Sequence, residues 1–424
     1  MAILESGNQF ESPMMVKVQQ QFDSTKIDEN QIIDSLFEQI FTNNIKKLIK
    51  PDMKIALAVG SRGIKHLDLT VHTVIKILKE LGAKPFIVPA MGSHGGATAE
   101  GQADVLNHYG ISEKTMDVPI VTSMETIELG TVDGVPVHFS KTALDSDMII
   151  PICRIKPHTD FKGPIESGIY KMLAIGLGKH KGAATLHKAG FAAFHKLIPS
   201  IGQYIVEQAP IGFAVSILEN SYDEVDSIHV VPGDMIGSIE PQLLKKARAM
   251  LAMININPID FLIVDQIGKN ISGEGMDPNV TGRSPAEITF EGAPDIKRIA
   301  VLDLTHDTQG NASGLGMADL TTKRCFNKID FASTYANVVT AGVFQSSKIP
   351  MILENDQEAI AVGLKAATLI PIEEARIVRI KDTLHLSELW VSENILKDLE
   401  GDSRFSITNE KRPFTFDVEG NLTW

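Results

Sequence analysis

The sequence predicts an α/β protein of two domains with mainly parallel sheets and an active-site cleft between them. Three observations predict it. The chain has 424 residues, more than one hydrophobic core ordinarily organises. Short apolar runs of strand length alternate with stretches of helical periodicity. The apolar runs end in glycine, proline and polar residues, as parallel strands do before a helix.

Taken in order, residues 31–49 have amphipathic helical spacing, and what precedes them reads as an arm packed on the body. Lys54–Val59 is a buried-strand pattern ending at Gly60-Ser61-Arg62-Gly63. Residues 69–81 place Val71, Val74, Ile75 and Leu78 on one helical face. Lys84–Pro89 is the next strand and ends at Met91-Gly92-Ser93-His94. A helix over 98–109 has Thr98 as its N-cap, since a hydroxyl there can accept from a free amide of the first turn. Residues 148–153 form a strand that ends at Lys156-Pro157-His158, and 213–218, 261–264 and 298–302 repeat the pattern. Helical stretches follow around 334–343 and 357–367. The polar, glycine-rich stretch 268–295 reads as a linker. It divides an N-terminal domain over 1–268, which carries most of the candidate site residues, from a C-terminal α/β domain over 269–424, whose tail can pack back on the first.

Composition narrows the class of function. A 43% hydrophobic and 22% charged chain has the balance of a soluble globular protein. A net charge of -13 argues against nucleic acid or an anionic membrane as the main partner. The two cysteines, Cys153 and Cys325, are far apart and form no ligand-spaced pair, so a reducing compartment is expected. The first residues lack a basic segment followed by an apolar core. No apolar run approaches the ~20 residues of a spanning helix. Together these readings point to the cytoplasm, with oligomerisation left open.

The chemistry-bearing residues fall at strand ends, where open α/β sheets bind ligands. His94 sits among Gly92, Gly95 and Gly96, and His158 follows Pro157. Imidazoles reaching one cavity from two strands can act as acid and base on opposite faces of a substrate. Lys171 lies in the apolar, glycine-rich run Ser167-Gly-Ile-Tyr-Lys-Met-Leu-Ala-Ile-Gly-Leu-Gly178. A lysine buried there is a nucleophile or attachment point; one that reaches water is an ordinary snorkelling side chain. His187 can ligate a metal through a ring nitrogen, although taken alone it reads first as a surface histidine of a helix. His180, His195 and the run Lys179-His180-Lys181 read as solvated surface. Ser61 and Arg62 suit a phosphate at a helix start. Asn279 and Arg283 can close over the cleft, the arginine gripping a carboxylate.

At these residues the chain resembles the lactate racemase family, which uses a nickel-pincer nucleotide. The likeness spans most of the chain and is clearest between about residues 55 and 190. The resemblance places the family's two catalytic histidines on His94 and His158. It places the lysine joined to the cofactor on Lys171, and the nickel-ligating histidine, sixteen residues further on, on His187. The arginine after the family's early strand falls on Arg62. The implied partners are an α-hydroxy acid and the enzymes that make the cofactor. There are three departures, the first being a stretch between His158 and Lys171 a few residues longer than in the lactate enzymes. The family's Asp-x-Thr-Arg-Pro after the first strand is Val59-Gly60-Ser61-Arg62-Gly63 here, without the aspartate. Asp277-Pro278-Asn279 resembles a family Asp-x-Asn segment, but Gly282 and Arg283 stand where a Gln and a Lys are usual. Retained cofactor chemistry and altered substrate recognition are expected. The alternative is a homolog that binds a nucleotide or small acidic metabolite, with other chemistry or none.

Overall fold

The computed structural model describes residues 12–42, 44–60, 63–367 and 371–424. It is α/β throughout and divides into two compact units, Asp23–Leu251 and Met1–Phe22 with Ala252–Trp424.

The Asp23–Leu251 unit is built on a five-stranded sheet in the order Lys84–Pro89, Lys54–Val59, Met148–Arg154, Phe213–Glu219, Val225–Pro232. The first four strands are parallel and the last is antiparallel to its neighbour. Lys54–Val59 is the inner strand, with Val59 opposite both Pro89 and Ile152. Every residue from Ile55 to Val59 is fully buried, which is why the run is apolar without alternation. The helix Leu67–Glu80 covers one face with Val71, Val74, Ile75, Ile77 and Leu78. Thr98 caps the helix Ala99–His108 by accepting from the Gly101 amide at 3.0 Å, as its sequence position predicts. The amphipathic pattern over 31–49 resolves into the helix Glu29–Thr42, which buries Ile32, Leu36 and Ile40, and a short 3-10 turn, Ile45–Leu48. Asn44 separates them in the left-handed region, φ 59°, which ends an α-helix.

The second unit has an eight-stranded sheet. Its order is Met351–Leu353, Leu320–Thr322, Ile296–Leu304, Ile259–Ile267, Ile377–Ile380, Glu388–Ser392, Met14–Gln20, Phe405–Pro413. The first five strands are parallel and the last three antiparallel. The division of the chain thus lies at 251/252. The strand Ile259–Ile267, placed by sequence before a boundary at 268, pairs along its length with Ile296–Leu304. The glycine-rich stretch after it is no linker: it folds back on itself, Gly268 donating to the Gly275 carbonyl at 3.0 Å, and it buries Met276 and Val280. The expected N-terminal arm is, over Met14–Gln20, a strand inside this sheet.

An inner strand should matter as a core element and not as a detachable arm. Met15 is fully buried and packs with Phe261, Ile263 and Trp390. Met15→Ala should therefore destabilise this unit by about 2–5 kcal/mol, measured as a lowered urea midpoint. Lys17→Met, on the same strand but with its amine in ion pairs at the surface, should cost far less. Equal, small effects would contradict the internal-strand assignment.

Candidate functional site

Parallel pairing sends three neighbouring strands of the Asp23–Leu251 unit out at one edge of the sheet. The chain after Lys84–Pro89 carries His94, the chain after Lys54–Val59 carries Gly60, and the chain after Met148–Arg154 carries His158. The two outer strands are separated by two strand spacings, about 10 Å of sheet. Ser61 and Arg62 lie outside the described residues.

His94 is exposed and begins a tight turn. Its amide donates to the Met91 carbonyl at 3.0 Å, and its own carbonyl accepts from Gln102 Nε2 at 3.3 Å. Gly92 has φ 59°, where glycine is at ease, and its amide donates to the Gly176 carbonyl at 3.1 Å.

His158 is half-buried in a loop pinned by the buried carboxylate of Glu166. Glu166 accepts from the His158 amide at 2.6 Å, from Arg248 Nη2 at 2.5 Å and from Lys162 Nζ at 3.4 Å. The Asp160 amide donates to His158 Nδ1 at 2.9 Å, so the neutral ring carries its proton on Nε2. The Asp160 carboxylate stands 3.5 Å from Nδ1 and offers a counter-charge to a protonated ring.

Lys171 and His187 come from successive helical segments, interrupted at Lys179, whose φ is 56°. The chain opens as Ile169–Lys171, loosens into a π-turn over Met172–Gly176, and resumes as Lys179–Lys188. Single π-turns are frequent at functional sites. The helix start is held by Glu240, whose Oε2 accepts the Tyr170 amide at 3.1 Å, with the Ile169 amide also bonded to the carboxyl. Gly168 makes room for this, since a Cβ there would lie 2.1 Å from Glu240 Oε1. Oε1 is buried without a hydrogen-bond partner. Burial pushes the Glu240 carboxyl up to about 8, against the opposing pull of the two amides.

Three phenylalanines gather these groups. The His158 ring lies 4.4 Å from Phe161 and 6.2 Å from Phe191. The His187 ring lies 5.4 Å from both Phe191 and Phe194. Lys171 Nζ stands 5.9 Å over the Phe161 ring. Desolvation, and after it the positive charge of Lys171, hold the His187 imidazole below its ordinary value. Its buried Nδ1 has no partner. A neutral imidazole with an unused ring nitrogen is the form that binds a transition metal, so the residues here fit a metal-bearing group fixed at Lys171. Among the described residues no three His, Cys, Asp or Glu side chains are placed to hold a metal ion.

The structure thus collects His158, Lys171 and His187 around one aromatic cluster and packs the turn leading to His94 against the same helical stretch. Arg283 and Asn279 belong to the other unit. Arg283 donates to Asp319 at 2.7 Å and to the carbonyls of Met317, Ile296 and Lys297, which commits its guanidinium. Asn279 is buried, its amide and Nδ2 both donating to Asp277 Oδ1. Lys179, read from sequence as solvated, is fully buried, whereas His180, Lys181 and His195 are exposed. Sequence reasoning also missed Glu166, Glu240 and the phenylalanines. Phe191 and Phe194 follow His187 at helical intervals, a signal that was there to read. Glu240 is 70 residues from the amide it caps and leaves no local signature.

A family model described as the lactate racemase N-terminal domain matches residues 9–196. No curated protein sequence matches the chain. A solved structure, the lactate racemase apoprotein from Thermoanaerobacterium thermosaccharolyticum, has the same fold. The TM-score is 0.52 at 14% identity, over 88% of this chain and 99% of that one.

Two measurements test the electrostatics of the site. The His187 imidazole should titrate below its ordinary range by NMR, and Lys171→Met should move it upward; an unmoved titration would remove the link between the two. For Glu240 the folded carboxyl holds a proton that the unfolded one, at 4.5, has lost. Its contribution to stability is therefore complete below 4.5 and is lost as pH rises through about 8. Glu240→Gln should flatten the fall in urea midpoint between pH 5 and pH 9, and an unchanged fall would contradict the assignment.

Proposed function

We propose, from the likeness of residues 9–196 to the lactate racemase N-terminal domain, that this chain is a racemase or epimerase of a small α-hydroxy acid. In this reading it works by hydride transfer to and from a nickel-pincer nucleotide joined to Lys171, with His94 and His158 as acid and base. The observation that carries the reading is the meeting of Lys171, a neutral His187 and His158 on one aromatic cluster. Lys171 is the attachment point and His187 the protein ligand to nickel. Ser61 and Arg62, which follow the inner strand in sequence, are assigned to the nucleotide phosphate or the substrate carboxylate. Enzymes that synthesise the cofactor are the implied partners. Both cysteines are free and buried, in keeping with a reducing cytoplasm. Among the described residues no helix is long and apolar enough to cross a membrane.

When bound, the group supplies a carbon that takes the substrate Cα hydrogen as hydride and gives it back. The chain's own residues handle protons and exclude water. A Cα proton beside a carboxylate is too weakly acidic for an imidazole, whereas the hydroxyl proton becomes acidic as the carbonyl forms. One histidine accepts that proton, and the other supplies a proton when the opposite face is reduced. To accept a proton at Nε2, His158 would carry its ring proton on Nδ1 and turn it to the Asp160 carboxylate, 3.5 Å away, in place of the Asp160 amide that donates to Nδ1 at 2.9 Å. Phe161, Phe191 and Phe194 keep water from the reacting atoms.

The test is racemisation of a panel of chiral α-hydroxy acids by protein produced together with the cofactor-synthesis enzymes. With Cα-deuterated substrate, the product of opposite configuration should retain deuterium. His94→Ala and His158→Ala should each lower kcat roughly 10²–10⁴-fold, with substrate affinity little changed. Exchange of the deuterium with solvent would contradict hydride transfer, and no turnover on any α-hydroxy acid would favour a binding role.

A further inference from the structure

Lys179 carries two structural costs at one position. Its backbone is left-handed, φ 56°, a conformation uncommon for a side chain of this size. Its amine is fully buried, and among the described residues its hydrogen-bond partners are uncharged. Desolvation alone pulls the amine down to about 8. Costs of this kind persist where the surroundings hold them in place, and they invite a functional explanation.

What the amine touches supplies one. Lys179 Nζ donates to the Pro89 carbonyl at 2.5 Å, at the last residue of the strand that leads to His94, and to Gln102 Oε1 at 3.4 Å. A lysine can only donate, so it turns the Gln102 amide with its oxygen toward Nζ. The Gln102 Nε2 group then faces the turn, donating to the Gly92 carbonyl at 3.0 Å and the His94 carbonyl at 3.3 Å. Backbone contacts run alongside. Gly92 donates to the Gly176 carbonyl at 3.1 Å, and a Cβ on Gly176 would lie 2.6 Å from the Ala90 carbonyl oxygen. Lys179 lies eight residues after Lys171 and eight before His187.

We infer that Lys179 and Gln102 are positioning residues that lock the His94 turn against the helical stretch bearing Lys171 and His187. Neither side chain touches the reacting atoms; Lys179 acts through Gln102, and Gln102 through the carbonyls of the turn. The inference rests on the reading of His94 as an acid–base group only for its effect on turnover.

The variants are Gln102→Glu, which keeps an acceptor for Lys179 but has no Nε2 donor, and Lys179→Met, which removes the amine at similar length. Hydrogen–deuterium exchange of the full chain, without cofactor, is followed on peptides spanning 91–98 and 171–188. Gln102→Glu should speed exchange in 91–98 by about 10-fold, as expected for two lost hydrogen bonds, and leave 171–188 unchanged. In loaded enzyme, kcat should fall about 10-fold or more with KM and the mass of the Lys171 peptide unchanged. Lys179→Met should reproduce both effects. Exchange in 91–98 equal to wild type in Gln102→Glu would overturn the inference. So would a drop in melting temperature with kcat preserved, which marks a purely structural role. If loaded wild-type protein shows no turnover, the function proposed above fails, while the exchange measurement still decides whether the turn is locked.

Discussion

The site depends on the parallel pairing of Lys54–Val59 with Lys84–Pro89 on one side and Met148–Arg154 on the other. Parallel strands share a direction, so their carboxyl ends open at the same edge, and the chain must leave each by a turn before its helix. That constraint puts the turn bearing His94 and the loop bearing His158 on either side of the inner strand. A one-residue slip in either pairing would exchange the side chains packed on the two covered faces, Ile55, Leu57 and Val59 against Ala56 and Ala58. The alternation of large and small residues along this fully buried run opposes such a slip, since each face is packed for one size. Function here therefore draws on the register of an apolar sheet that contributes no reactive group of its own.

Around that edge the protein accepts several buried ionisable groups. Glu240 at a helix start, Glu166 under the His158 loop and Lys179 behind the His94 turn are all nearly or fully buried. None is exchangeable for an apolar residue without loss of a specific bond: to the Tyr170 amide, to the His158 amide, or to the Pro89 carbonyl. Each holds backbone beside a residue assigned to the chemistry. Burying polar groups is costly unless they are bonded, and the partial satisfaction of Glu240 shows where stability has been exchanged for placement.

Much of this was legible in the sequence. Strand runs such as Lys54–Val59 and Lys84–Pro89 are apolar because both faces are covered, and their ends are marked by glycine and proline. His94 and His158 were legible as strand-end residues, whereas Lys171 and His187 were singled out by the family resemblance and its sixteen-residue spacing, the residues alone leaving both open. What was not legible depends on distant partners. The strand Met14–Gln20 finds its neighbours nearly 400 residues away in sequence. Glycines at 268, 273, 275 and 282 look like a linker, although the loop they build is packed inside one unit. A lysine flanked by His180 and another lysine looks solvated, because nothing local announces that Gln102 and Pro89 will surround it. Arg283 looked available for a substrate because Asp319, its partner, is 36 residues further along the chain.

The central claim is that Lys171 carries a nickel-bearing nucleotide capped by His187. The most direct measurement is the mass of the Lys171 peptide, with nickel content, in protein produced together with the cofactor-synthesis enzymes. A nucleotide-sized adduct on that peptide with nickel in equal amount is the predicted result. An unmodified Lys171 without nickel, under conditions that load a lactate racemase, would contradict it.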